Sequence, residues 1–190
     1  MRTPPHRRAP PRALLALALL ATAALGSPAL ASDPSAAERE ALAERVSEYG
    51  ETTRAQGVMG LIGIIPPTVI DAMAEDRGTT PDGVRMLMAI GMGQVLGSGT
   101  IVEFAMSPED ATWGETTNGT RYALVPTRTV IDVEGTGRMT TESRTLALAE
   151  RGQWYLVRVS DPEQRRMLEA AHPGFADIQF PDPTITIADE

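Results

Sequence analysis

The stretch Ala111-Thr112-Trp113-Gly114-Glu115-Thr116-Thr117-Asn118-Gly119-Thr120-Arg121-Tyr122-Ala123-Leu124-Val125 decides the fold. Asn118-Gly119 sits between two runs rich in threonine, aromatic and β-branched residues, the strongest short-range signal for an antiparallel hairpin. A two-residue turn of that kind wants positive φ at both positions, which asparagine and glycine tolerate. Strands are therefore predicted over 111–117 and 120–133. On the upstream side, Thr100 to Met106 has period two and stops at Ser107-Pro108. Downstream, Glu134-Gly135-Thr136-Gly137 turns into Arg138 to Ala149, and Arg151-Gly152 returns the chain through Gln153 to Val159. The reading is an antiparallel meander of about five strands. Thr184-Ile185-Thr186-Ile187 adds a candidate edge strand.

The last meander strand, Trp154-Tyr155-Leu156-Val157-Arg158-Val159, is apolar on both faces. A strand with one wet face alternates, so both faces here should be covered. Helices would cover the concave side. The convex side calls for the last helix, the tail or a second subunit.

The helices are predicted before and after this sheet. Ser35-Ala36-Ala37-Glu38 is a capping box, and Leu42, Val46, Tyr49 and Thr53 line one face of the helix it opens. Gly57 stops it. The run Val58 to Ile65 is apolar all round and punctuated by glycine, which suits either buried core or an exposed interface. Pro67 starts a short helix that Gly78 ends. Thr80-Pro81-Asp82 caps another, with Val84, Leu87, Met88, Gly91, Met92 and Val95 as its expected buried side and Gly97 as its stop. Ser160-Asp161-Pro162-Glu163 reads as a second capping box, opening a helix to about Ala171. Helices packed on an antiparallel sheet make an α+β layer architecture.

The N-terminus reads as an address. Arg2, Arg7, Arg8 and Arg12 precede an apolar run from Ala13 to Leu25, and Ala29-Leu30-Ala31 supplies small residues for cleavage before Ser32. That is a secretory signal peptide over 1–31. Its apolar run is shorter than the ~20 residues a membrane span needs, so no membrane anchor is expected. The mature part, 32–190, is read as one domain with an extended tail over 176–190.

Composition narrows the chemistry. The leader carries four of the seventeen basic residues and no acid, leaving thirteen basic against twenty-five acidic residues, a net charge of −12. Such a surface repels nucleic acid and anionic lipid. There is no cysteine, which excludes disulfides, thiol catalysis and thiolate metal sites. Every basic residue is arginine, so no lysine can serve as Schiff base or general base. The absence of lysine beside abundant alanine, arginine and glycine fits a GC-rich bacterial coding bias, which makes the destination periplasmic or extracellular.

The order helix, short helices, coiled meander resembles the cystatin-like fold, and within it the NTF2-like secreted proteins of bacteria. The resemblance rests on Asn118-Gly119-Thr120-Arg121-Tyr122-Ala123-Leu124-Val125-Pro126-Thr127, on Ser143-Arg144-Thr145-Leu146-Ala147-Leu148, on Gly152-Gln153-Trp154-Tyr155-Leu156-Val157, and on Ile64-Ile65-Pro66-Pro67 before a short helix. It spans about Ser35 to Pro181. It implies a cone between helix and sheet in which enzymes of this fold work, with an Asp, His or Tyr at its mouth. No such catalytic pattern maps onto this chain, so no catalytic residue is assigned.

Trp113, Tyr122, Trp154 and Arg158 are the candidate ligand-binding residues, large groups on strands able to offer an aromatic wall with a polar handle. Ordinary core packing is the alternative for the aromatics. Arg121, Arg128, Arg144 and Arg158 either pair across strands with Glu103, Glu142 or Asp132, or gather around an anionic ligand. Asp132 and Glu134 read as solvated strand-end charges. His172, the one mature histidine, is expected as a cation at a helix C-terminus. No metal and no cofactor is expected. The sequence thus points to a non-enzymatic exported protein that binds a small amphipathic ligand or serves as an envelope interaction module, with a homodimer through the convex sheet face. The alternative is an enzyme doing acid–base chemistry on a small organic substrate in the cone.

Overall fold

A computed structural model describes residues 33–188 apart from Gln56, Ser98 and Glu134. The leader, the Ala31–Ser32 junction, Glu134 and the Val95 side chain lie outside the described residues. Four helices come first: α1 (Ala36–Arg54), α2 (Val58–Gly63), α3 (Pro67–Asp76) and α4 (Pro81–Gly97). The strands β1 (Gly99–Met106), β2 (Thr112–Glu115), β3 (Arg121–Val133), β4 (Gly137–Glu150) and β5 (Gln153–Val157) follow. Helix α5 (Pro162–Ala171) and strand β6 (Thr184–Ala188) close the chain. The protein is α+β, helices followed by an antiparallel sheet curled into a half-barrel.

The sheet has six strands, the five of the meander and the candidate strand at Thr184, ordered β1-β3-β4-β5, with β2 on β3 and β6 on β4. Strands β3 and β4, of 13 and 14 residues, form its spine. At ~3.3 Å per residue they are long enough for strand twist to roll the sheet. A bulge between Ile101 and Glu103 bends β1 further.

The Asn118-Gly119 hairpin forms, but its turn differs from the expected one. Gly119 N–H bonds to Thr116 O at 2.9 Å and Thr116 N–H to Thr120 O at 3.0 Å. Only Gly119 has positive φ, at 84°. This is a type I turn followed by a glycine bulge, because Asn118 Oδ1 holds the loop by accepting from the Thr116 hydroxyl at 2.5 Å. Gly119→Val is therefore expected to cost about 1–2 kcal/mol from left-handed strain. Urea unfolding free energies check this, and a change within ~0.3 kcal/mol would contradict the turn.

Helix α1 begins with the full capping box: Ser35 N–H donates to Glu38 Oε2 at 2.8 Å and Glu38 N–H to Ser35 Oγ at 3.2 Å. The Ser35 amide and, at 2.9 Å, the Ser35 hydroxyl both donate to the Glu38 carboxyl and hold it below its ordinary range. Helix α5 is capped differently from expectation. Asp161, not Ser160, accepts from the Glu163 and Gln164 amides at 2.9 and 3.0 Å. A carboxylate placed directly before Pro162 reaches those amides, which displaces the serine from the role.

Both faces of β5 are covered, and by this chain alone. On the concave side Leu42, Val46 and Ile64 pack on Ala123, Val125, Ala147, Trp154 and Leu156. On the convex side α3, α5 and the segment through Phe175 and Phe180 pack on Leu146, Leu148 and Val157. Asp76–Arg166 (3.0 Å) and Arg77–Glu163 ion pairs fasten α3 to α5. The outer edge of β5 is tied off too, since Leu156 N–H donates to Ile64 O at 2.8 Å.

Helix α4 departs from its expected burial. Val84 is buried and Met88 partly so, but Leu87 is half exposed, with Met86 68 % and Ile90 56 % exposed. A helix apolar on nearly every side offers no unique stripe, and here only the Val84–Met88 side meets a neighbour. Met59 of α2 is exposed as well, so the glycine-punctuated run is half core and half surface.

Candidate functional site

The hollow of the half-barrel holds a cavity of about 420 Å³. That volume lies within the range of small-molecule sites. Residues of β3 and β4 line it in facing pairs fixed by register, Thr127 opposite Ser143, Thr129 opposite Thr141 and Ile131 opposite Met139. The alternation of a strand puts every second side chain inward, so this face is a ladder of hydroxyls. Two of its rungs are buried and joined, Thr127 Oγ1 and Thr145 Oγ1 lying 2.8 Å apart. Ile64, Ile65, Phe104, Met88 and Met92 make the apolar walls.

One corner of the cavity is polar. Tyr49 and Thr53 stand one helical turn apart on α1, and Arg158 follows directly after β5. Tyr49 is held edge-on against Phe104, ring centroids 5.3 Å apart. Burial pushes its phenol above the ordinary value, opposed by the Arg158 guanidinium and the adjoining Thr53 hydroxyl. Thr53 is 5 % exposed, yet its Oγ1 has no partner at hydrogen-bonding geometry among the described residues. Such a buried donor is uncommon and asks for an explanation. The carboxylate lining the cavity nearby is Asp161, whose Oδ1 is engaged by the α5 amides.

The four sequence-predicted residues do not gather in one place. Arg158 lines the cavity. Trp113 and Trp154 pack edge-to-face, centroids 5.5 Å apart, in the concave core beside Leu156. Tyr122 is on the convex face, where its ring meets Phe175 at 5.5 Å. The other strand arginines pair with carboxylates or carbonyls. Arg128 bonds Glu103 at 3.1 Å and Glu142 at 3.0 Å, Arg121 bonds Glu38 at 3.2 Å, and Arg144 reaches Leu124 O at 3.4 Å. Asp132 pairs with Arg138 at 2.9 Å. Arg158 has no ion pair among the described residues. Tyr49 and Thr53, which complete the corner, were legible only as one buried helix face.

A second polar cluster lies away from the cavity, at the convex base. The Thr68 hydroxyl donates to Glu150 Oε2 at 2.6 Å and lies 2.7 Å from His172 Nε2, which donates to it in turn. The Glu150 side chain is only 8 % exposed. His172 stands at the C-terminal end of α5 as expected, but half-buried, which disfavours the expected cation. Burial lowers its pKa, against the pull of Glu150, because α5 turns the ring inward over Phe175 at 6.2 Å. This order of donors leaves the imidazole giving a proton to threonine rather than taking one, so it does not form a nucleophile.

The sign of the pH effect follows. The unfolded chain protonates this histidine near pH 6.5, before the folded chain does, and so binds more protons in that window. Stability is expected to be full above about pH 6.5 and to fall as pH drops toward the lowered folded value. Unfolding free energies at stepped pH should show this slope in the parent and lose most of it in His172→Gln. An identical slope in both would contradict the buried imidazole.

Among the described residues no three His, Asp or Glu side chains are placed to hold a metal, and no helix is long and apolar enough to cross a membrane. No protein-family model, no curated protein and no solved structure matches this chain. Its own geometry defines the class: an α+β protein whose curled antiparallel sheet and helices line a ligand-sized cavity.

Proposed function

We propose that this chain is an exported, NTF2-like protein that binds a small amphipathic ligand in the hollow of its sheet. The observation that carries the reading is the cavity itself. It is mostly apolar, laddered with hydroxyls, and carries Tyr49, Thr53 and Arg158 on its lining. Ligand sites have this makeup, an apolar bulk with a few polar groups that fix orientation. The signal-peptide pattern of residues 1–31 supports a periplasmic or extracellular setting.

Native and denaturing mass spectrometry of protein recovered from a periplasmic extract tests both parts. The denatured mass should begin at Ser32. The native mass should exceed it by a small molecule that denaturation releases. A denatured mass that retains the leader would contradict export. An empty native species, unchanged after incubation with a panel of amphipaths, would contradict ligand binding.

A homodimer belongs to the same proposal. The convex sheet face has α5 and the C-terminal segment upon it, so the proposed surface for a second copy is the exposed α4 stripe of Met86, Leu87 and Ile90. Sedimentation should give twice the chain mass, and Leu87→Glu with Ile90→Glu should halve it. A monomer in the parent would contradict this.

A second reading, acid–base chemistry on a small organic substrate, rests on Tyr49. Its phenol lines the cavity, is protonated at neutral pH and is able to donate a hydrogen bond to a substrate oxygen. It predicts turnover that Tyr49→Phe abolishes while binding persists.

A further inference from the structure

We propose that the polar corner of the cavity is a head-group site for a carboxylate, so that the ligand class is a medium-length amphipathic carboxylate. The inference rests on the ligand-binding reading and adds the chemistry of the head group.

Three features carry it. Arg158 brings a guanidinium to the cavity with no ion pair among the described residues, while eight other arginines across the structure pair with carboxylates. Arg39, Arg54, Arg144 and Arg165 are likewise without an ion pair among the described residues, and Arg158 differs from them in lining the cavity. Thr53 then presents a buried hydroxyl to the same cavity, 95 % shielded from water, beside the Tyr49 phenol and without a partner at full hydrogen-bonding geometry among the described residues. Tyr49 adds a second hydroxyl that stays protonated. One cation and two hydroxyls able to donate line the corner together.

That donor set matches a carboxylate. A guanidinium fork takes two oxygens side by side, and the hydroxyls donate to the remaining lone pairs. A phosphate dianion needs more positive charge than this corner holds. Asp161 is the like charge to weigh against an anion. Its Oδ1 is bound by two amides at the N-terminus of α5, whose dipole offsets it. Beyond the corner, the hydroxyl ladder and the apolar walls accept a chain or ring of on the order of a dozen non-hydrogen atoms, at ~30 Å³ for each water-sized volume.

The test is calorimetric titration with decanoate and with decan-1-ol, which share a chain and differ in the head. The parent should bind both. Arg158→Gln should weaken decanoate by ~10-fold or more, the loss of a charge-assisted pair, and weaken decan-1-ol far less. Arg158 is exposed, so this variant should fold, and its melting temperature checks that. Thr53→Val gives an independent signature. Removing an unsatisfied buried hydroxyl should hold or raise the melting temperature of the empty protein, while decanoate binding weakens several-fold. A purely structural threonine would instead lose stability with no change in head-group preference. If both probes bind and Arg158→Gln weakens them equally or not at all, the head-group site is wrong and the cavity reading stands. If neither probe binds, the cavity reading falls and takes the head-group site with it.

Discussion

Phe175→Ala is expected to cost about 3–5 kcal/mol, as aromatic truncations in sealed cores do. Phe175 is fully buried on the convex side, and three rings touch it. Tyr122 meets it at 5.5 Å, His172 edge-on at 6.2 Å, and Phe180 stacks on it at 6.4 Å. The aromatic contacts add to the area buried. The phenylalanine also joins three parts of the chain: the sheet through Tyr122, the end of α5 through His172, and the C-terminal segment through Phe180. Its loss should therefore loosen the whole convex layer. Urea unfolding measures the cost. The pH slope assigned to His172 should shrink in the same variant, because the ring loses the neighbour that helps bury it. A cost below ~1 kcal/mol would mean that the C-terminal segment does not cover the sheet.

Trp154→Ala tests the opposite face and is expected to cost a similar ~3–5 kcal/mol. Its side chain is 8 % exposed, edge-on to Trp113 at 5.5 Å, and packed with Leu42 and Val46 of α1. Leu156, two residues on, is on the same face and lines the ligand cavity. The void left by Trp154 therefore opens beside the cavity, and binding of decan-1-ol should change along with stability. A loss below ~1 kcal/mol would put the indole on the surface and undo the double coverage of β5.

What the sequence made legible was local. The Ser35–Glu38 box depends on two residues three apart and forms as read. The Asn118-Gly119 hairpin forms because the turn chemistry is carried by its own residues, although the glycine alone takes positive φ. The doubly apolar β5 demanded two covers, and α1 on one side with α5 and the tail on the other supply them. The candidate site was harder to see, for physical reasons. Period two says that strand residues alternate but not which set faces inward, and the bulge at Val102 shifts that choice along β1. Arg158 and Thr53 come together only through the packing of α1 on the curled sheet. The Thr68–Glu150–His172 cluster joins residues 82 and 104 positions apart, beyond any spacing rule. Helix α4 misled because its apolar residues occupy nearly every side, so burial there was set by which neighbours happened to arrive.

The central claim, that the hollow of the sheet binds a small amphipath, is tested most directly by amide and methyl chemical-shift mapping on titration with decanoate. The account predicts saturable shifts confined to Tyr49, Thr53, Thr129, Thr141, Leu156, Arg158 and their immediate neighbours. Shifts that gather on Met86, Leu87 and Ile90 instead, or that never saturate, would contradict it.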